Sequence, residues 1–183
     1  MSQEDHTNGG LKGAVNKMQD MVGGAVGLAS ASTAGSHDSQ AFVTNAAMGD
    51  LYEVEAGRLA RRRGRTEDIR AFGEMMVEHH TTSTHQLRSA LASSETAKVL
   101  PDPQPPPTLD ERRQGLLDHL AQASDDAFDR LFVDQQRMAH RETATLLEGY
   151  AEHGDNAQLR SVALGALPMV RRHQAMLERL GRH

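Results

Sequence analysis

The segment AFGEMMVEHHTTSTHQL, residues 71–87, contains three of the ten histidines and has the pattern of an α-helix. Four of its positions fall at spacings of four, four and seven, which is the track of one helical face: Phe72, Met76, His80 and Leu87. His80 is therefore predicted to point to the same side as the apolar residues. A histidine there is either a metal ligand or a hydrogen-bonded interior residue.

The composition favours an all-α protein. Only 3% of the 183 residues are aromatic and none is tryptophan, whereas helix formers such as Ala, Leu, Glu and Arg dominate. The length suits one domain with an appendage. The net charge is −5 with both signs interspersed, so no global charge recruits nucleic acid. Because cysteine is absent, thiolate metal sites and disulfides are excluded.

Residues 1–39 are predicted to form a flexible segment apart from the folded domain. The sequence starts acidic where a secretory signal would be basic, and no run approaches the roughly 20 apolar residues that span a bilayer, so the default location is cytoplasmic. Residues 11–29 carry apolar side chains at helical spacing, which predicts an amphipathic, glycine-weakened helix. It would bind a protein partner, self-associate or lie on a membrane surface, or else be disordered or pack loosely on its own domain.

Two long helices are predicted between residue 40 and the prolines that begin at 101. Ser39 is expected to cap the first, which ends near Gly64. Thr66 is expected to cap the second, which continues to about Ser93. Because only a short turn separates them, the two helices should form an antiparallel hairpin.

A proline-rich crossover and a second helical hairpin follow. Five prolines between 101 and 107 exclude a helix there, and a short helix is expected around 109–120. Ser124 should cap the third long helix, and Asp155 or Asn156 the fourth, with a kink at Pro168. Two hairpins joined by one long connection are the layout of ferritin-like bundles. We therefore predict an all-α, ferritin-like antiparallel four-helix bundle over residues 40–183.

Each long helix carries one inward residue of a type that binds metals. These residues share a face with apolar neighbours on the four helices in turn: Glu53, His80, His140 and His173. A buried carboxylate needs a partner or a metal. The distances from the turns allow convergence within each hairpin, whereas the sequence does not fix the relative height of the two hairpins.

Three imidazoles and one carboxylate suit a single divalent transition metal such as Zn²⁺, Cu²⁺, Ni²⁺ or Fe²⁺. A di-iron oxidase is disfavoured because its Glu-x-x-His pairs are missing from the sequence. Phosphate-binding glycine loops, G-x-S-x-G and a cysteine nucleophile are also missing, so no catalytic residue is predicted. The sequence thus favours a metal-binding bundle active in metal handling or stress protection. The alternative is a metal-free interaction or stress protein whose inward polar residues form a hydrogen-bonded network.

Four motifs occur in a specific order between about residues 40 and 180. They are E-x-E-x-G-x-x-A (Glu53, Glu55, Gly57, Ala60), F-x-x-x-M-x-x-x-H (Phe72, Met76, His80), F-D followed by a histidine (Phe128, Asp129, His140), and L-P-x-x-x-x-H (Leu167, Pro168, His173). In this order they resemble the bacterial family named domain of unknown function 4142. The resemblance implies a ferritin-like fold and no established activity.

Two positions depart from that family pattern. Phe132 stands where the family usually has tyrosine, and His79 replaces an acidic residue that often precedes the motif histidine. The second departure adds a candidate ligand and leaves open whether His79 or His80 points inward. Many members of the family carry a signal peptide or are labelled membrane proteins, and this sequence lacks the signal.

Overall fold

The computed structural model describes residues 34–93, Thr96, Leu100 and residues 108–181. Within these residues a 3₁₀ turn at Ala34–Ser36 precedes five α-helices and no strand: α1 (Ser39–Arg63), α2 (Glu67–Leu91), α3 (Glu111–Gln122), α4 (Asp125–His153) and α5 (Ala157–Leu180). The all-α prediction is confirmed. None of the described helices is long and apolar enough to cross a membrane. The helix predicted at 11–29 and most of the proline-rich crossover lie outside the described residues.

The four long helices form a bundle of two antiparallel hairpins, as the sequence predicts. Helix α1 packs against α2 and α4, and α5 packs against the same two helices. Near the start of α1, Phe42 stacks on Tyr150 near the end of α4, with ring centroids 4.0 Å apart. At the other end, Arg63 of α1 binds Asp125 of α4 at 3.0 Å. Helices α1 and α4 are therefore antiparallel, so α2 and α4 run parallel and need the long crossover that contains α3.

Two apolar clusters fill the bundle, one towards each end. The first includes Phe42 of α1 and Val170 of α5, and the second includes Phe72 of α2 and Leu177 of α5. On every long helix at least one buried polar side chain lies between the two clusters. The intervening residues are Asp50, His80, His140 and His173 on α1, α2, α4 and α5 respectively. The bundle thus has a polar layer at a single height, which answers the question of hairpin height that the sequence leaves open.

The helix caps differ from the prediction at one position. The α1 cap is Asp38, whose carboxylate accepts a hydrogen bond from the Ala41 amide at 2.7 Å, and the prediction of Ser39 is wrong. Ser39 lies one residue inside the helix, where its hydroxyl binds the Tyr150 hydroxyl at 2.8 Å and the Asp155 carboxylate. An aspartate in extended backbone before a helix competes well for the cap, so Ser39 is free to join α1 to the α4–α5 turn.

The other predicted caps agree with the structure in position. Thr66 accepts from the Ile69 amide at 3.3 Å, and Asn156 rather than Asp155 accepts from the Leu159 amide at 2.9 Å. Ser124 precedes α4 but its side chain makes no cap hydrogen bond.

Helices α1 and α2 approach each other closely at two glycines. A Cβ atom on Gly57 would lie 2.6 Å from the carbonyl oxygen of Gly73. A Cβ atom on Gly73 would lie 2.8 Å from the Gly57 carbonyl oxygen and 2.9 Å from the Arg61 amide. These are backbone atoms that cannot rotate aside, so both positions require glycine. The close approach brings α1 and α2 together one to two turns from the polar layer.

Asp129 of α4 holds the turn between α1 and α2. Its two carboxylate oxygens accept hydrogen bonds from the backbone amides of Arg65 at 3.0 Å and Thr66 at 3.3 Å. These amides lie at the start of α2, where backbone donors lack helical partners. The F-D motif therefore ties one hairpin to the other through a main-chain contact.

Residues 34–38 pack on the bundle although the sequence assigns them to the N-terminal segment. Ser36 is buried, and a Cβ atom on Gly149 of α4 would lie only 2.6 Å from the Ser36 Cβ. The domain boundary at residue 39 stays a prediction. The contacts of Ser36 and the cap of Asp38 extend the packed region to residue 34.

Two deletions distinguish the contribution of residues 1–33 to stability from that of residues 34–38. Removing residues 1–33 should leave the unfolding free energy nearly unchanged, because these residues belong to the segment predicted to be flexible. Removing residues 1–38 should lower it by about 1–2 kcal/mol, since the Asp38 cap alone contributes about 1 kcal/mol. Urea unfolding of both proteins and the full chain measures the difference. An equal loss in both deletions would show that the stabilising contacts precede residue 34.

Candidate metal centre

The polar layer brings three histidines from three helices together. One ring nitrogen each of His80 (α2), His140 (α4) and His173 (α5) lies within 4.8 Å of the other two. All three side chains are at most 2% exposed. Buried imidazoles facing one another in this way are the donor set of a histidine-rich metal site.

His80 is oriented by a carboxylate on α1. Its Nδ1 lies 2.8 Å from Oδ1 of Asp50, so Nδ1–H donates to the carboxylate and Nε2 is the nitrogen left for another partner. His80 Nε2 is buried and has no hydrogen-bond partner among the described residues. A buried nitrogen without a partner is costly. A metal ion there would remove that cost, and carboxylate–histidine–metal chains are a common way of orienting the ligand ring.

His140 is oriented by the backbone of its own helix. Its Nδ1–H donates to the carbonyl oxygen of Gln136 at 2.9 Å, which leaves Nε2 as the nitrogen with a lone pair. That Nε2 lies 3.1 Å from Nδ1 of His173. Two nitrogens bound to one tetrahedral ion with bonds of about 2.0–2.1 Å would be about 3.3 Å apart. The observed separation is close to this value.

His173 lies between two other histidines. Its Nδ1 faces His140, and its Nε2 lies 2.8 Å from Nδ1 of His79. Without a metal, His79 donates to His173, which in turn donates to His140. With a metal on Nδ1, neutral His173 carries its proton on Nε2, where His79 accepts it. The same three rings can thus form either a hydrogen-bonded chain or an oriented ligand, with a change of tautomer only.

Glu53 is buried as predicted but lies beside the group of three nitrogens. Its Oε2 accepts from Nε2 of Gln136 at 2.6 Å, and its Oε1 lies 3.3 Å from Nδ1 of His140. Because that Nδ1–H is directed at the Gln136 carbonyl, Oε1 lies beside the ring without accepting a hydrogen bond. Glu53 therefore faces the nitrogen of His140 that points away from His80 and His173.

A model of a known protein family matches most of the chain. A family model described as Domain of unknown function (DUF4142) matches residues 25–180. The chain belongs to the DUF4142 family. No curated protein and no solved structure matches it. The resemblance inferred from the four motifs is confirmed, and the match starts earlier than the predicted boundary near residue 40.

The DUF4142 motifs map onto the polar layer and the contacts that support it. Gly57 permits the close approach of α1 and α2, and Asp129 holds their turn. Phe72 packs its ring 6.1 Å from that of His173, and the ring of Phe132 lies 6.2 Å from that of Phe72. Phe132 is fully buried in the apolar cluster, so the departure from tyrosine leaves an apolar wall below the histidines.

The structure brings together three of the five predicted ligands. His80, His140 and His173 converge, whereas Glu53 and His79 touch the outer nitrogens of His140 and His173. His79 is partly exposed and His80 is buried, which distinguishes the two adjacent histidines. Sequence analysis missed Asp50, and the available signal was its position three residues before Glu53 on the same side of a helix.

The electrostatics keep two of the three imidazoles neutral. Burial, together with the nearby His80 and His173, lowers the pKa of His140 well below its usual value. Burial and the neighbouring His80 and His79 lower the pKa of His173 to about 3. Burial also acts to lower the pKa of His80, but the Asp50 hydrogen bond and the charges of Asp50 and Glu53 raise it overall. A metal ion therefore competes with a proton more at His80 than at the other two histidines.

Glu53→Gln should change the pH dependence of stability in the metal-free DUF4142 protein. Burial raises the pKa of Glu53 from 4.5 to about 7, partly offset by His80. The folded state therefore stays protonated at Glu53 up to a higher pH than the unfolded chain does. As a result, this carboxyl contributes stability at low pH, and that stability is lost as the pH rises from the lower of these pKa values to the higher. Relative to wild type, the variant should therefore gain stability between those pH values, by up to about 3 kcal/mol at 1.4 kcal/mol per pKa unit.

Urea unfolding with chelator, at about pH 4.5 and about pH 8, measures this gain. Glu55→Gln is the matched control, because Glu55 is only partly buried and forms a surface ion pair with Arg58. A difference between Glu53→Gln and wild type that is constant with pH would show that the carboxyl ionises as freely in the folded protein as in the unfolded chain.

Proposed function

We propose that this DUF4142 protein binds one divalent transition-metal ion between His80, His140 and His173. The observation that carries the proposal is the convergence of three buried ring nitrogens from three helices, one of which has no hydrogen-bond partner. Asp50 and the Gln136 carbonyl hold the outer nitrogens of two ligands, as supporting groups do in protein metal sites. A set of imidazoles suits Zn²⁺, Cu²⁺ or Fe²⁺.

We infer that the bundle is ferritin-like in its connectivity, with metal handling or stress protection as its role. The parallel course of α2 and α4, joined by one long crossover, supports this relationship. The ligand set is poorer in carboxylate than a di-iron site, because Glu53 and Asp50 contact the outer nitrogens of histidines. Binding of a single ion therefore fits the layer better than di-iron oxidation.

A metal-free interaction protein is the second candidate, and one observation favours it. Hydrogen bonds link His79, His173, His140 and the Gln136 carbonyl in a continuous chain. Such a network stabilises a bundle without any ion, although it leaves His80 Nε2 unpaired. A partner for residues 11–29 and a cytoplasmic location remain predictions from the sequence.

Elemental analysis of the full chain, purified without a nickel column, separates the two candidates. We expect close to one equivalent of a transition metal, or uptake of one equivalent of Zn²⁺, Cu²⁺ or Fe²⁺ by the chelator-treated protein. Asp50→Asn should weaken the affinity on the order of 10–100-fold, because the outer nitrogen of His80 loses its carboxylate partner. A protein that carries no metal and takes up none of the three ions would contradict the proposal.

A further inference from the structure

The metal ion that the proposed function requires must reach a layer whose ligands are all buried. Among the described residues, two regions lie between the surface and the three histidines. One lies at the seam between α2 and α5, beside His79, and the other at a small cavity enclosed by α1, α3 and α4. Their chemistry differs enough to choose between them.

The cavity between α1, α3 and α4 is closed by charged groups bound to one another. Its volume of ≈ 20 Å³ is about that of one water molecule. Oε1 of Glu142 accepts from Arg112 at 2.7 Å and from Arg113 at 2.8 Å, and Arg113 also binds Asp110. Glu53, which lines the cavity, faces the protonated Nδ1 of His140. An ion arriving there would meet the nitrogen that has no lone pair to offer.

The seam between α2 and α5 presents two nitrogens that share one proton without a metal, and a change of tautomer at His79 frees both lone pairs. His79 is partly exposed, and its Nδ1 lies 2.8 Å from Nε2 of the buried His173. One helical turn along the seam, Met75 and Met176 line a surface groove together with charged residues that include Asp68 and Arg179. The opposite edge of the His173 ring, Nδ1, lies among the three converging histidines. A single imidazole therefore spans the distance between the outer and inner positions.

We propose that metal ions pass to the interior through an outer binding position formed by His79 Nδ1 and His173 Nε2, an inference that rests on the proposed function. These nitrogens are 2.8 Å apart, a hydrogen-bond distance, and the pair would widen to about 3.3 Å to bind one tetrahedral ion. With the ion on Nε2, neutral His173 would carry its proton on Nδ1 and donate a hydrogen bond to His140, while His79 would carry its own proton on Nε2. With the ion on Nδ1, the proton is on Nε2 and His79 accepts it. The ion and the proton exchange nitrogens on His173, so the ring carries one proton in both states.

The test is the rate at which the chelator-treated full chain takes up Co²⁺, followed by its visible absorption, and the rate at which the loaded protein releases it to chelator. For His79→Ala we expect association to slow on the order of tenfold, with the bound equivalent and its spectrum unchanged. His85→Ala is the matched control, since it removes an exposed histidine from the same helix. Arg112→Ala opens the other approach and should leave both rates unchanged.

Each other outcome overturns the inference in its own way. Faster release with unchanged association would make His79 a group that only orients His173. Loss of the bound equivalent or a changed spectrum would make His79 a ligand of the resting site. Faster uptake by Arg112→Ala, with His79→Ala equal to His85→Ala, would assign the route to the cavity. Absence of Co²⁺ binding in every protein, wild type included, would instead contradict the proposed function itself.

Discussion

His173→Ala is expected to abolish the stabilisation of the folded protein by metal ions. The change removes the ring that contacts both His140 and His79, and with it one of three converging nitrogens. At a free ion concentration 100 times the dissociation constant, wild type should gain about 2.7 kcal/mol of unfolding free energy, and the variant almost none. Thermal melting with chelator and with Zn²⁺, Cu²⁺ or Fe²⁺ measures the gain. His85→Ala, exposed on α2, should behave as wild type.

The same variant has a second effect that does not depend on metal. Removing the ring leaves Nε2 of His140 and Nδ1 of His79 without their present partners, which costs about 1–3 kcal/mol even with chelator. If this loss is the only one, and wild type shows no metal-dependent shift with any of the three ions, the metal-free network is the correct description of the layer.

Gly73→Ala is expected to destabilise the bundle by about 3 kcal/mol, the upper part of the usual range for overpacking a core. The added Cβ would lie 2.8 Å from the Gly57 carbonyl oxygen and 2.9 Å from the Arg61 amide, so α1 and α2 must move apart. Gly115→Ala and Gly165→Ala are matched controls, because nothing lies within 4 Å of a Cβ atom at either helical position. They should stabilise by about 0.5–1 kcal/mol.

Urea unfolding of the three glycine variants measures these differences. A Gly73→Ala protein as stable as wild type would show that the two helices separate at no cost. Movement of α1 away from α2 also separates Asp50 from His80, so metal affinity should fall in Gly73→Ala and not in the two control variants.

The helices could be predicted from the sequence because the residues that begin and end them are local signals. Thr66 and Asn156 stand before acidic or polar first turns, and Gly64 and Gly154 follow the last turns. The α1 cap was predicted one residue late, since Asp38 and Ser39 are adjacent and both suit a cap. Only the contact of Ser39 with Tyr150, 111 residues away, distinguishes them.

The site was predictable only in part because its assembly depends on contacts between hairpins. The apolar stripes identify His80, His140 and His173 one helix at a time. Their common height follows from the packing of α1 against α4 and of α2 against α5, which no local spacing encodes. Glu53 was correctly predicted to be inward, but which nitrogen of His140 it faces depends on the Gln136 carbonyl. Asp50 was missed because its partner lies on another helix.

The contact of Asp129 with the α1–α2 turn bears on which sequences the turn tolerates. Asp129 binds main-chain amides at positions 65 and 66, and main-chain amides are the same in every residue except proline. The side chain of residue 65 is therefore free to vary in charge and size without weakening this anchor. The carboxylate at position 129 has no such freedom, because an asparagine would offer one acceptor oxygen where two amides need two. Among relatives we therefore expect the side chains of the turn to vary. We expect the aspartate at position 129, which binds the backbone of the turn, to be retained.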